Sequence, residues 1–128
     1  MVSLNCVCTL EGHKDKINYF IPGEQGFLIS CSSDKSIKFW NVDEEKCYYS
    51  LDNAHDGPIY CLARTEDKKI ISCSFSTIKK FDLENKKVDT IYKENITWLR
   101  YGAAEGQRRQ HCYDMMPLRV SEANIAPI

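Results

Sequence analysis

An internal repeat with a spacing of about 42 residues is the feature that most constrains the fold of this chain. The stretch from Gly12 to Val42 contains a Gly-His pair, a Ser-Asp-Lys-Ser turn and a closing Trp-Asn pair, and much of it occurs a second time. The matching positions are His13 and His55, Ile17 and Ile59, Leu28 and Ile70, and the triplets Ser30-Cys31-Ser32 and Ser72-Cys73-Ser74. A period of this length, built from short strands, predicts repeated small antiparallel sheets.

Each unit is predicted to form four strands, because runs rich in strand formers are separated by turn residues. An outer strand at residues 5–10 precedes the first unit (12–51), and the second unit (55–92) is followed by the start of a third at 96–100. Residues 1–100 are therefore predicted to hold the repeats. The predicted strands are 17–20, 27–32, 36–40 and 47–51 in the first unit, and 59–63, 69–74, 77–81 and 88–92 in the second.

Residues 101–128 differ in composition from the repeats. Every Lys lies at or before Lys93, whereas four of the five Arg residues lie at or beyond Arg100, and this segment shows no strand alternation. It is predicted to be an irregular or disordered tail, or a short helix near residues 103–111. A second interpretation stays open, in which the segment comes from a different reading frame and the chain is a truncated relative of a longer protein.

The repeat resembles that of the WD-repeat (WD40) β-propeller family. Gly12-His13 matches the opening dipeptide of the family, Asp34 its turn residue, and Trp40-Asn41 stands where the family usually has Trp-Asp. The resemblance covers residues 6–99 and is most specific in the first unit. It implies an all-β, partial β-propeller of about two four-stranded antiparallel blades, followed by the irregular C-terminal tail.

The most informative set of polar residues is His13, Asp34, Trp40 and a serine, either Ser30 or Ser32. An imidazole, a carboxylate, an indole N–H and a hydroxyl can hydrogen-bond in series. The same residue types form the Ser-His-Asp triad of hydrolases, but the sequence shows no nucleophile elbow and no Gly-rich oxyanion loop. The resemblance implies that this set fastens the strands of a blade together, and we predict a structural hydrogen-bond network.

The second unit departs from this pattern. Between Ser72 and Ile78 it is one residue shorter than the first, with Phe75-Ser76 where an Asp is expected, and it has Phe81-Asp82 in place of Trp40-Asn41. The sequence therefore predicts that His55 lacks its usual partners and that the second blade is the softer one.

The resemblance also implies a surface for partners, where the inner strands begin and the hairpin turns project. We expect other proteins or peptides to bind there, without a cofactor, so that the chain is a non-catalytic interaction module or scaffold. Two blades cannot close a ring, and so a homo-oligomer, a complementing propeller fragment or a longer chain would have to complete it. The alternatives are a small Ser/His/Asp hydrolase and a non-functional truncated product. The partner-binding positions carried over are Lys14, Lys16, Ser33, Asp56, Pro58 and Ser74.

The net charge, the lack of a long apolar run and the cysteine residues limit the classes of function that this chain is expected to have. The net charge of −1 predicts binding neither to nucleic acid nor to a membrane surface. Without a signal peptide or a long apolar run, the chain is expected to be intracellular, in the cytoplasm or the nucleus. The seven Cys form an odd count, which argues against a disulfide framework. Cys6-Val7-Cys8 and His111-Cys112 lack a second ligand pair, and so no metal site is predicted.

Overall fold

The computed structural model describes residues 4–75 and 77–93, which form two four-stranded antiparallel sheets. Each sheet is a simple meander, in the orders β1-β2-β3-β4 (blade one) and β5-β6-β7-β8 (blade two). The prediction of an all-β fold with four-stranded blades is thereby confirmed. The strands of blade one are β1 (Ile17–Pro22), β2 (Phe27–Ser32), β3 (Ile37–Asn41) and β4 (Lys46–Leu51); those of blade two are β5 (Ile59–Arg64), β6 (Ile70–Ser74), β7 (Thr77–Asp82) and β8 (Lys87–Lys93).

The strand predicted at residues 5–10 is not formed. Residues 4–16 contain no strand, and most of residues 4–10 are exposed, including Leu4 and Val7. A strand requires a neighbour for its backbone N–H and C=O groups, and this segment pairs with neither sheet. The predictions of a third unit at 96–100 and of an irregular tail at 101–128 lie outside the described residues.

The turns repeat as the strands do. The β3–β4 turn places Glu45 in the left-handed region (φ 57°), and the β7–β8 turn places Lys86 there (φ 54°), at equivalent positions of the two units. In the β1–β2 turn Gly26 has a φ of 83°, a conformation that glycine adopts without steric cost. Consecutive turns of a meander lie at alternate ends of the sheet, so the β2–β3 and β6–β7 connections share one end with the segments leading into β1 and β5.

A core shared by the two sheets holds the blades side by side. Ile29 and Phe39 of blade one belong to the same buried cluster as Ile59, Leu62 and Phe81 of blade two. Burial of such side chains contributes roughly 1.5–3 kcal/mol each relative to leaving them exposed. The opposite face of blade two carries a separate buried cluster, whose members are Tyr60, Cys61, Ala63, Ile71, Cys73 and Ile78.

Two hydrogen bonds and an ion pair also connect the two blades. The Asn18 side-chain amide donates to the Ile59 carbonyl (2.9 Å), and the Arg64 guanidinium donates to the Pro22 carbonyl (3.2 Å). Glu24 also forms an ion pair with Lys68 (3.1 Å). Because these bonds link the inner strands of the two blades, they place the loops before β1 and β5 at the same end of the molecule.

Candidate functional site

The structure brings His13, Ser30, Asp34 and Trp40 together in blade one. His13 lies on the segment before β1, Ser30 on β2, Asp34 in the β2–β3 turn and Trp40 on β3. His13 Nε2 is 2.6 Å from Ser30 Oγ, and His13 Nδ1 is 2.9 Å from the Asp34 carboxylate. Trp40 Nε1 donates to Ser30 Oγ at 2.8 Å. The four residues therefore form one continuous chain of hydrogen bonds across two strands and two loops.

The donor-only indole of Trp40 and the acceptor-only carboxylate of Asp34 define a consistent set of hydrogen-bond directions along this chain. Trp40 Nε1–H can only donate, so Ser30 Oγ accepts from it and its own O–H is available to His13 Nε2. The His13 tautomer with its proton on Nδ1 fits this arrangement, because the Asp34 carboxylate can only accept. Of the two serines left open by the sequence, Ser30 is the one in this chain. Ser32 Oγ instead accepts from the Asp34 amide (3.0 Å).

Sequence reasoning missed Ser36, which completes the network. Its hydroxyl donates to Asp34 Oδ1 at 2.5 Å, and its backbone amide donates to the same oxygen at 2.9 Å. A serine two residues after an Asp in a tight turn is a signal for this contact, because Asp side chains bond to the backbone two residues on.

The Asp34 carboxylate is held in its charged form. Burial opposes this, but the hydrogen bonds from Ser36, from the Lys14 amide (2.9 Å) and from His13 outweigh it and keep the pKa of Asp34 well below its usual range. The side chain of His13 is 2% exposed and that of Asp34 is 9% exposed. A carboxylate with this many donors has little capacity left for a ligand.

The order Ser30–His13–Asp34 matches that of a hydrolytic triad, but the serine is not placed to react. Ser30 is 5% exposed and Trp40 is 3% exposed, so the indole covers the hydroxyl as well as bonding to it. The neighbouring cleft, of about 350 Å³, includes Asp34, Ser36 and Lys38 in its lining but not Ser30. A substrate in that cleft would not meet the nucleophile.

Blade two contains a modified version of the network. His55 Nε2 is 2.7 Å from Ser72 Oγ, as in blade one, and His55 Nδ1 is 2.8 Å from Thr77 Oγ1. The prediction that His55 lacks its usual partners holds for the Asp and the Trp, but Thr77 supplies a replacement that the sequence reasoning did not anticipate. Burial, followed by the charge of Lys79, lowers the pKa of His55 to about 3.

The predicted partner-binding positions divide into two groups. Lys14, Lys16 and Asp56 are exposed at the loop end shared by the two blades. Ser74 is 3% exposed, and its hydroxyl donates to the Pro58 carbonyl (2.8 Å). Ser74 therefore holds the end of β6 to the loop before β5, and its hydroxyl is buried rather than exposed as expected.

The remaining members of the predicted surface are less accessible. Ser33 is half-buried and its hydroxyl accepts from the Asn18 amide at 3.0 Å, while Pro58 is half-buried as well. Within residues 4–75 and 77–93 no group of three or more His, Cys, Asp or Glu side chains is arranged to hold a metal ion. That part of the chain also contains no helix that could span a membrane.

Comparison with known proteins agrees with this geometry. A family model described as "WD domain, G-beta repeat" matches residues 4–41. The chain is 30% identical over 100 residues to nuclear distribution protein nudF 2 of Penicillium rubens, a match covering 71% of this chain and 21% of the relative. It is 28% identical over 109 residues to the WD repeat-containing protein 89 homolog of Dictyostelium discoideum, covering 80% of this chain and 29% of the relative.

Solved structures show the same similarity. The WD40 β-propeller domain of Doa1 matches with a TM-score of 0.55 and 26% identity, covering 62% of this chain and 28% of that one. The WD40 repeats of RRP9 match the fold with a TM-score of 0.60 at 19% identity, covering 67% of this chain and 28% of that one. The chain thus spans less than a third of each of these proteins. With its repeat, its blades and its His-Ser-Asp-Trp network, it belongs to the WD-repeat family of β-propeller proteins.

Proposed function

We propose that this chain is a non-catalytic protein-interaction module, whose shared loop end binds other proteins or peptides inside the cell. WD40 propellers are generally scaffolds of this kind, and the proteins similar to this chain include nuclear distribution proteins. The exposed Lys14, Lys16 and Asp56 give that end a mixed charge suited to polar recognition rather than to a nucleic-acid backbone. Localisation to the cytoplasm or the nucleus is part of the same proposal.

One observation carries the proposal that the blades act within a larger assembly. Phe20 on β1 and Leu62 on β5 occupy equivalent positions, since they are 42 residues apart in the repeat. Leu62 is 2% exposed because it packs against blade one, whereas Phe20 is 64% exposed. The outer face of blade one therefore presents apolar surface where blade two has a neighbour. A further blade, from a second copy or from a longer chain, would cover it.

The loop-end proposal is tested by charge reversal. Lys14→Glu with Lys16→Glu changes the charge of the loop end, while Lys86→Glu with Lys87→Glu makes the same change at the opposite end of blade two. Proteins captured from a cell extract by the full chain are expected to be lost with the first pair and retained with the second. Equal capture by both variants would contradict a binding surface at the loop end.

A hydrolase is the second candidate, because the Ser30–His13–Asp34 distances match those of a triad. The burial of Ser30 beneath Trp40 argues against it. We expect no hydrolysis of a generic ester such as p-nitrophenyl acetate above that of the variant Ser30→Ala. Hydrolysis that disappears in Ser30→Ala and in His13→Ala, while the folded fraction is unchanged, would establish the enzyme instead.

A further inference from the structure

Two buried thiols face each other across the inner strands of blade two. Cys61 on β5 and Cys73 on β6 are direct cross-strand partners in the antiparallel register. They belong to the same buried cluster, and so their side chains lie on the same face of the sheet. They are 3% and 2% exposed, and neither is in a disulfide. Neither thiol belongs to the hydrogen-bond network of His55 or to the predicted partner surface.

The register places Cys61 and Cys73 opposite each other, at close to the spacing that a disulfide requires. Cβ atoms of directly opposed residues in an antiparallel pair are about 4.5–5.5 Å apart. A disulfide requires Cβ atoms about 3.5–4.5 Å apart, so the strands need to approach by only about 1 Å at this point. The register shifts between Ile59 and Cys61, and a bulge of this kind bends the strand and allows such a local adjustment.

We propose that Cys61 and Cys73 are an oxidation site that forms a cross-strand disulfide in the presence of a peroxide. Hydrogen peroxide oxidises one thiol to a sulfenic acid and releases one water. The neighbouring thiol then displaces the hydroxyl as a second water and forms the S–S bond. The two sulfur atoms lose two electrons and two protons in total, and one peroxide is reduced to two waters.

Blade one supplies an internal control for this proposal. Cys31 occupies the position equivalent to Cys73 and is also buried, but its cross-strand partner on β1 is Tyr19 rather than a cysteine. Exposure to the same oxidant is therefore expected to cross-link blade two and not blade one. Burial alone does not distinguish the two sites, whereas the register does.

The experiment uses the full chain with Cys6, Cys8, Cys47 and Cys112 replaced by Ser, which leaves three cysteines. After hydrogen peroxide treatment and quenching, the intact mass is expected to fall by about 2 Da, for two hydrogen atoms. Alkylation in denaturant should then modify Cys31 only, and a reductant should restore all three thiols. Further replacement of Cys61→Ser or Cys73→Ser should abolish the mass loss.

Three labelled thiols after oxidation, or a disulfide that includes Cys31, would overturn the proposal. If the four-serine variant does not fold, the native chain answers the same question by peptide mapping after oxidation. A linked peptide pair containing Cys61 and Cys73 supports the proposal there, and its absence while other cysteines are oxidised refutes it.

Discussion

Gly12 lies so close to Trp40 that a side chain at position 12 would press on the indole. A Cβ atom built on Gly12 would be 3.0 Å from Trp40 Cη2. In blade two the equivalent pair is Ala54 and Phe81, and both belong to the shared buried core. The smaller phenyl ring leaves room for the methyl group of Ala54. The two blades thus fill the equivalent space with different pairs of residues, a glycine with a tryptophan in blade one and an alanine with a phenylalanine in blade two.

This relationship predicts a compensating pair of substitutions in blade two. Phe81→Trp should destabilise the protein by about 1–3 kcal/mol, because the larger ring meets the Ala54 methyl group. Adding Ala54→Gly should recover part of the loss, giving a favourable coupling of about 0.5–3 kcal/mol. The measurement is the free energy of unfolding in urea for both single variants and the double variant. Strict additivity of the two changes would contradict the packing relationship.

Asp34→Ala should destabilise blade one by about 1–3 kcal/mol, because it leaves Ser36, His13 and the Lys14 amide without their acceptor. Urea unfolding measures the loss. Asp43→Ala, in the exposed β3–β4 turn, is the matched control, and a surface change of that kind is expected to stay within about 0.5 kcal/mol. An equal effect of the two substitutions would contradict the importance of the network for stability.

Blade two should lose stability in mild acid through His55. Its pKa is about 3 in the folded protein against 6.5 as the ordinary value, so the unfolded chain binds the proton first. The contribution of neutral His55 to the free energy of unfolding is fully present above pH 6.5 and is lost progressively as the pH falls towards 3. Over this range the free energy of unfolding changes by up to about 1.4 kcal/mol per pH unit.

The variant His55→Gln tests the assignment of this pH dependence. Its amide can hydrogen-bond but does not titrate, so unfolding free energies measured between pH 7 and about pH 4 should vary less with pH than in the native chain. Asp34 acts in a lower window, below its ordinary pKa of 3.8, because its folded-state pKa is depressed. An unchanged slope in His55→Gln would assign the acid sensitivity to another group.

Gly57→Ala should also destabilise blade two. A Cβ atom on Gly57 would lie 2.1 Å from Cε1 of Phe75, and so the ring would have to move. The expected cost is about 1–3 kcal/mol, and Phe75→Ala should remove most of the penalty by vacating the space. Urea unfolding of the double-mutant cycle measures this coupling. A penalty that persists in the Phe75→Ala background would contradict the contact.

The sequence predicts the blades well because their signals are local. Alternating strand formers and turn residues locate all eight strands to within about two residues, and the spacing of His13, Asp34 and Trp40 matches the residues that the structure joins. The strand at residues 5–10 fails for a non-local reason, since an extended segment becomes a strand only where a partner lies beside it.

Other features depend on packing that a residue pattern does not contain. Thr77 bonds to His55 Nδ1 in place of an Asp, a contact that the residue pattern of the second unit does not indicate. Position in the repeat predicts Ser74 on the partner surface, but its hydroxyl turns inward to the Pro58 carbonyl. The cross-strand pairing of Cys61 with Cys73 likewise follows from the register after the bulge.

The most direct test of the larger assembly is the solution mass of residues 1–128, measured by light scattering and followed by urea unfolding of the same sample. If a second copy covers the outer face of blade one, we expect an assembly heavier than one 14.8 kDa chain, and Phe20→Ser should shift it towards single chains because it removes apolar surface from the uncovered face. A 14.8 kDa monomer that unfolds cooperatively and is unaffected by Phe20→Ser would contradict it, because the outer face of blade one would then need no neighbour.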